Sequence, residues 1–303
     1  MSILVVGSVA FDTVQTPAGR AEEVLGGSAS YFSVAASFFA PVHLVAVVGE
    51  DFTPDHSSIF RERGVDTSGL ARVPGKTFRW SGVYGEDINQ RTTLATELNV
   101  FQQFRPELPE WLKKIDFVFL ANIDPDLQRS VLRQMKRPRL VACDTMNFWI
   151  AGKPGSVRET LREVDILLIN DEEARQLSGE PNTVRAARRI LGWGPSSLIV
   201  KRGEYGAALY SGHSHFVVPA YPLPDPVDPT GAGDSFAGGF VGHLARTGKL
   251  DDGNIRQALV AGSVMASFCV EDFSLRRFGK LRPEEIRMRQ KEFSRMTAFE
   301  ELP

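Results

Sequence analysis

The residues with the plainest chemical potential run from Val227 to Phe236: Val227-Asp228-Pro229-Thr230-Gly231-Ala232-Gly233-Asp234-Ser235-Phe236. Pro229 cannot donate a backbone hydrogen bond, and Gly231 and Gly233 open backbone angles that a side chain forbids. Phe236, Phe240, Val241 and Leu244 then recur on one helical face, so the stretch reads as a loop feeding a helix. The first amides of such a helix have no partner inside it, and the positive end of the helix dipole lies behind them. Negative charge is stabilised there. Asp234 stands in the same turn, and an acid beside an anion hole suits phosphoryl transfer. The amides of Gly231, Ala232, Gly233 and Asp234 would hold phosphate charge while Asp234 takes a proton from an attacking hydroxyl. Spacing alone also fits a Gly-rich turn whose Asp merely starts an amphipathic helix.

The elements that must position this stretch alternate along the chain. Ile3 to Val6 is an aliphatic run ending at Gly7, the form of a parallel strand covered on both faces, and Asp12 follows it. The second and third glycines of a dinucleotide fingerprint are missing after Gly7, which disfavours a nicotinamide or flavin site. Gly26 and Gly27 allow a ligand close to the backbone ahead of a buried helix, Phe32 to Phe39. Tyr31 offers a stacking face and a hydroxyl, or packs on that helix. From Arg72 to Phe101 two alternating runs around Glu86-Asp87-Ile88-Asn89 predict a hairpin with two partly exposed faces, outside the main sheet. Arg91 and Asn99 either reach substrate from it or are solvated.

Strands at His43–Val48, Phe117–Leu120, Leu140–Cys143, Ile166–Ile169 and Ser197–Lys201, separated by helical patterns, predict a doubly wound, mostly parallel sheet. Functional loops then belong at the strands' C-terminal ends, where Asn122 and Asp124, Asp144 and Asn147, and Asn170 and Glu173 cluster. Asn170 with Glu173 three residues on is also a helix-capping pattern. Arg202-Gly203-Glu204-Tyr205-Gly206 predicts a tight turn. A helix from Ile255 to Val270 carries Gly262, Ser263 and Ser267, a slot for a flat adenine or a site of close helix packing.

Bulk properties exclude several classes. At 303 residues with a formal charge of -2, the chain presents no electrostatic case for nucleic acid or an anionic membrane as main partner. A small molecule is the expected partner. Two cysteines, Cys143 and Cys269, sit in apolar runs and are too few for a disulfide framework, which suits a reducing compartment. No basic leader precedes Ile3 and no apolar run approaches membrane-spanning length, so a cytoplasmic location is expected. No Gly-x-x-x-x-Gly-Lys-Ser/Thr run occurs, which disfavours a P-loop kinase.

Asp-Pro-Thr-Gly-Ala-Gly-Asp-Ser-Phe resembles the C-terminal signature of the ribokinase-like, or PfkB, family of small-molecule kinases. Gly26-Gly27, the Gly49-Glu50-Asp51 turn, Asp144-Thr145-Met146-Asn147, Asn170-Asp171-Glu172-Glu173 and Gly203–Gly206 are similar to its other motifs and fall in family order. The resemblance implies a single three-layer α/β/α domain over 1–303 with a small β lid from segments of about 12–25 and 72–101. It implies ATP-dependent phosphorylation of a primary hydroxyl on a sugar or sugar-containing substrate. Asp12, Gly26, Gly27, Tyr31, Arg91, Asn99, Asp144 and Asn147 would bind that acceptor. Asn170, Lys201, Gly203, Gly206, Thr230, Gly262, Ser263 and Ser267 would line the nucleotide, with Asn170 and Glu173 organising Mg2+ through water. Asp228, with Thr230 and carbonyls near Glu271, would hold a monovalent cation such as K+, and a homodimer through the lid is a further expectation. Three positions depart from the pattern: Tyr31 stands where the family often has Asn, Lys201 where it usually has Thr, and the glycine that usually follows Gly49-Glu50-Asp51 is absent. A nucleoside kinase stays open as an alternative acceptor class, and a non-catalytic sugar- or nucleotide-binding regulator as an alternative of another kind.

Overall fold

Short aliphatic runs that alternate between two covered faces build the main sheet. In the computed structural model, which describes residues 1–212, 214–298 and 300, these are β1 (Ile3–Val6), β4 (Val42–Val48), β5 (Asp66–Arg72), β8 (Phe117–Leu120), β9 (Leu140–Asp144), β10 (Ile166–Asn170), β11 (Ser197–Lys201), β12 (Ala207–Ser211) and β13 (His215–Val218). The last three residues of the expected 1–303 span lie outside the described ones. The order is β13-β12-β11-β10-β9-β8-β1-β4-β5, parallel from β5 to β11 and antiparallel at β12 and β13. Side chains of successive residues point to opposite faces. Ile3 and Val5 therefore join one core while Leu4 and Val6 join the other. Helices Ser28–Ala36, Ala232–Thr247 and Asp252–Cys269 cover the first face. Phe32 stacks on Phe119 of β8 at 4.2 Å between ring centroids, locking helix to sheet. Each fully buried side chain of that size contributes roughly 1.5–3 kcal/mol.

The helix after the organising loop is held closely on both sides. A Cβ on Gly238 would stand 2.5 Å from the Phe32 carbonyl oxygen, and one on Gly239 would stand 2.6 Å from that of Ala261. No larger residue fits between the helices there, so the start of this helix is fixed rigidly over the ends of the parallel strands.

A second sheet stands apart from the main one. Its strands β2 (Ala10–Thr16), β3 (Gly19–Gly26), β6 (Phe78–Tyr84) and β7 (Arg91–Glu97) pair in the order β3-β2-β6-β7. The predicted hairpin is β6 and β7, paired antiparallel, with β6 half-buried and β7 exposed throughout. Val14, Ala21, Tyr84 and Phe273 form its small core, and Thr16 Oγ1 ties it to the Val227 carbonyl at 2.8 Å.

Several bounds differ from the sequence expectation. The first buried helix begins at Ser28 instead of Phe32, immediately after Gly27, and stops at Ala36. The small-residue helix begins at Asp252, before Ile255, because the Asp251 side chain accepts from the Asn254 amide and caps it. β5, which the sequence pattern did not mark, adds an edge strand to the main sheet. No helix among the described residues is long and apolar enough to cross a membrane.

Candidate active site

Gly231 adopts φ 76 at the N-cap of helix Ala232–Thr247, the left-handed region that a glycine enters without strain. It is also sterically confined: a Cβ there would overlap the Tyr31 ring. The first hydrogen bond of the helix runs from Ser235 N to Gly231 O at 2.8 Å. The Ala232 amide donates to Pro229 O at 3.2 Å, so it is committed to the turn. The expected hole is thus smaller by one donor. Among the described residues the amides of Gly231, Gly233 and Asp234 have no protein acceptor and are the donors left for the expected anion hole.

Asp234 is half-buried in the first turn and surrounded by charge. Burial, then the negative charge of Asp144, pushes its carboxyl up to about 7, against the opposing pull of Lys201 and Arg91. Asp12, at the second residue after Ala10 in β2, is only 4% exposed, and its carboxyl is likewise pushed up to about 7 by burial and the charges of Asp228 and Asp234. The two acids are therefore close enough to act on each other electrostatically. A Cβ on Gly26 would overlap the Asp12 carboxylate, and the Gly27 amide donates to it, so the paired glycines seat this acid.

The strand ends bring three more groups to Asp234. Lys201, the last residue of β11, places Nζ 2.8 Å from Asp144 Oδ2 at the end of β9. Burial raises the Asp144 carboxyl, and Lys201 partly offsets this. The main chain at Asp144 is fixed by the buried Gln128, whose Nε2 donates to the Asp144 carbonyl at 2.9 Å. Asn170 and Glu173 form a reciprocal capping box: Asn170 Oδ1 accepts from Glu173 N at 2.7 Å, and Glu173 Oε2 from Asn170 N at 2.9 Å. Capping does not use up the acid. Glu173 Oε1 is left over, and burial with the charge of Asp144 pushes this carboxyl up to about 7.

A cavity of about 330 Å³ opens beside these residues, lined by Lys201, Gly203, Gly206, Gly233, Phe236, Ser263 and Ser267. Part of its remaining wall comes from the lid, beside Tyr221, Pro222 and Leu223. Ile88 and Asn89, at the tip of the β6–β7 hairpin, line the same cavity, and Asn89 Nδ2 donates to Glu204 Oε1 at 3.4 Å. Sequence reasoning missed both, since hairpin chemistry fixes a turn but not where its tip lands. Arg91 at the start of β7 lies over the Trp80 ring at 5.4 Å and acts electrostatically on Asp12, Glu173 and Asp234. Thr230 Oγ1 donates to the lid's Tyr84 hydroxyl at 3.1 Å, a contact with no sequence signal.

Some expected residues are placed otherwise. Asn99 donates from Nδ2 to the Thr77 carbonyl at 3.0 Å and lines a separate groove with Val45 and Arg105, away from Asp234. Tyr31 is 1% exposed with its ring against Gly231, so this chain already occupies the face expected to stack on substrate. Gly262 faces the Phe236 carbonyl and ring, which makes it a helix-packing residue and not an adenine slot. Ser267 Oγ donates to Val264 O and accepts from Arg289, leaving mainly its surface as cavity wall. Asn147 is half-buried at the start of helix Asn147–Gly152 and makes no hydrogen bond to another described side chain. Asp228 is 1% exposed, accepting from the Thr230 amide at 2.9 Å and the Ser274 amide at 3.4 Å.

Comparison with known proteins identifies the family. The model of the pfkB family carbohydrate kinases matches residues 2–278. The chain belongs to that family. It is accordingly an ATP-dependent phosphotransferase with an alcohol acceptor, acting on a sugar or a nucleoside. A cytidine kinase of Thermococcus kodakarensis is 31% identical over 258 residues, covering 83% of this chain and 91% of that protein. A ribokinase of Bacillus subtilis is 27% identical, covering 87% and 92%. Among solved structures, a Burkholderia thailandensis nucleoside kinase bound to inosine superposes with a TM-score of 0.80 at 18% identity, covering 96% of this chain and 97% of that one. The fold is the ribokinase fold, three layers with a β lid, as the pfkB-kinase motifs imply.

Proposed function

We propose that Asp234 of this pfkB-family kinase accepts the proton of a primary hydroxyl on a sugar-containing acceptor while the γ-phosphoryl group of ATP passes to that oxygen. The observation that supports it is that Lys201 and Gly233 line one cavity, the amides of Gly231, Gly233 and Asp234 are uncommitted, and the Asp234 carboxyl lies within electrostatic reach of Lys201 and Asp12. Asp12 and the Gly26-Gly27 backbone hold the acceptor, with Asp144 and Asn147 at its other side and Arg91 closing from the lid. Gly203, Gly206, Ser263 and Ser267 wall the nucleotide. The amides of Gly231, Gly233 and Asp234 hold charge that develops on the transferring group, the largest kind of contribution available to such a site. An Asp raised to about 7 is a better base at neutral pH than an ordinary carboxylate. The lid keeps water from the phosphoryl group.

Hard oxygens and an excess of acid fit Mg2+. Asp144, Glu173 and Asp234 face one lysine, and among the described residues no group of three or more acid, His or Cys side chains is arranged to bind a metal directly. Glu173 Oε1 and Asn170 would hold the ion through its waters, and when bound it neutralises phosphate charge. The reading includes a monovalent cation such as K+ beside Asp228, whose buried carboxylate accepts from backbone amides and is raised chiefly by burial. It also includes a lid-to-lid homodimer, for which β7 supplies an exposed edge with Leu94 at 65% exposure, and a cytoplasmic location.

A nucleoside acceptor is the second reading, favoured by the likeness to the cytidine kinase over 83% of the chain. A panel of free sugars, sugar acids and nucleosides with Mg-ATP separates the two. Turnover of nucleosides alone selects the second. Ligand-induced stabilisation without turnover of any acceptor would sink the catalytic assignment.

A further inference from the structure

Lys201 is built into the reacting end of the cavity. It closes β11, its side chain is 16% exposed, and its Nζ pairs with Asp144 Oδ2 at 2.8 Å. The same nitrogen stands 3.1 Å from the point that a Cβ on Gly233 would occupy. The ammonium therefore sits beside Gly233, the middle one of the three residues with uncommitted amides, with nothing larger than a glycine hydrogen between them. Three acids face it from three elements: Asp144 from β9, Glu173 from helix Asp171–Ser178, and Asp234 from helix Ala232–Thr247. Arg91 of the lid is the other cation acting on Glu173 and Asp234. Burial alone would lower the ammonium's pKa; the charges of Asp144 and Glu173 overcome that and raise it, so the group stays charged. An ammonium on a four-carbon stem is a compact point charge that changes partner by bond rotation. Its present partner and the anion hole are both within that reach.

We propose that Lys201 grips the γ-phosphoryl group of ATP: it rests on Asp144 in the nucleotide-free protein and turns past Gly233 onto the phosphoryl oxygens when ATP binds. This rests on the kinase reading above. Lys201 undergoes no covalent change. The acceptor oxygen forms the new bond to phosphorus, the bond from phosphorus to the bridging oxygen of ADP breaks, the hydroxyl proton passes to Asp234, and Lys201 keeps its three protons throughout. A purely structural ion pair joining β9 to β11 would treat ADP and ATP alike. A grip on the third phosphate distinguishes them.

The test is calorimetric binding of ADP and of a hydrolysis-resistant ATP analogue to the full chain, with steady-state kinetics on whichever acceptor the panel identifies. For Lys201→Met we expect analogue affinity to fall about tenfold or more, ADP affinity to stay within about twofold, and kcat to fall at least about a hundredfold, the scale for one lost transition-state donor. Lys201→Arg should recover part of the analogue affinity. Equal losses for ADP and analogue, or no loss for either, overturn the proposal. Should Lys201→Met misfold because Asp144 is stranded without its cation, K201M/D144N removes both charges, and the same contrast between nucleotides is required of it. A wild-type protein that binds both nucleotides yet phosphorylates no acceptor refutes the kinase reading while leaving the contrast measurable. Lys201→Met turning over at the wild-type rate refutes only the role of Lys201.

Discussion

Asp234→Asn removes one negative charge from a pocket where Asp144, Glu173 and Asp12 already outnumber Lys201 and Arg91, so it should stabilise the ligand-free protein while disabling it. The carboxyl moves from an ordinary 3.8 to about 7 on folding, chiefly because it is buried. At about 1.36 kcal/mol for each unit, full ionisation in the fold costs at most about 4 kcal/mol. Asp234 is only half-buried, and water screens its neighbours, so a cost on the order of 1–2 kcal/mol is the working figure. The sign follows from proton counting. Between 3.8 and 7 the folded acid keeps a proton that the unfolded chain has lost, so its contribution is full below 3.8, declines as pH rises through that window, and is gone above about 7. Calorimetric melting without ligands should therefore place Asp234→Asn a few degrees above wild type at pH 8, at roughly 2 °C or more for each kcal/mol in a chain of this size. The gap should shrink towards pH 4.5. In the same preparation kcat should fall at least about a hundredfold with ATP affinity retained. A gap of equal size at both pH values, or a variant that melts below wild type at pH 8, refutes the account of Asp234 as a charge held against its neighbours.

Two further substitutions test the loop and the lid. Gly231→Ala forces a side chain onto the Tyr31 ring at φ 76, so it should lower stability by about 1–3 kcal/mol and abolish turnover; thermal unfolding unchanged within about 1 °C would contradict the packing described. Asn89→Ala removes the lid-tip contact to Glu204 and part of the cavity wall, so KM for ATP should rise about threefold to tenfold and acceptor-free ATP hydrolysis should increase, with melting temperature unchanged. An effect confined to the acceptor's KM would show that the tip serves only the other side of the site.

The parallel strands were legible because their composition follows directly from burial on two faces: Ile3–Val6 and Phe117–Leu120 are apolar at every position, and both lie in the sheet where the pattern puts them. The uncommitted amides beside Asp234 were legible for a different reason, since a glycine pair ahead of an apolar helical stripe leaves donors without partners whatever the tertiary fold. The commitment of the Ala232 amide to Pro229 was not, because it depends on the pitch of one turn. Asn99 and Tyr31 failed as acceptor contacts through long-range packing: one is drawn to the Thr77 carbonyl and the other lies under Gly231. β5 was missed because Asp66–Arg72 carries charge at both ends and glycine inside, a poor strand by propensity that pairs only because β4 offers it an edge.

The electrostatics of the site and the placement of the lid belong to one mechanism. Without ligand, Asp12, Glu173 and Asp234 all hold carboxyls pushed up to about 7, a state that opposes ionisation of every group the reaction needs charged. A polyphosphate alone would add to that negative charge, so its binding must come with cations. Lys201 is in place among the acids and Arg91 acts on them from the lid, on the same β6–β7 hairpin whose tip, Ile88 and Asn89, lines the cavity beside Lys201 and Gly233. One hairpin thus lines the cavity with its turn and presents a cation to the acids with its next strand. Whatever shifts this hairpin therefore shifts both a cavity wall and a cation that favours ionised Asp234, so losing the Arg91 charge should push the Asp234 carboxyl up further.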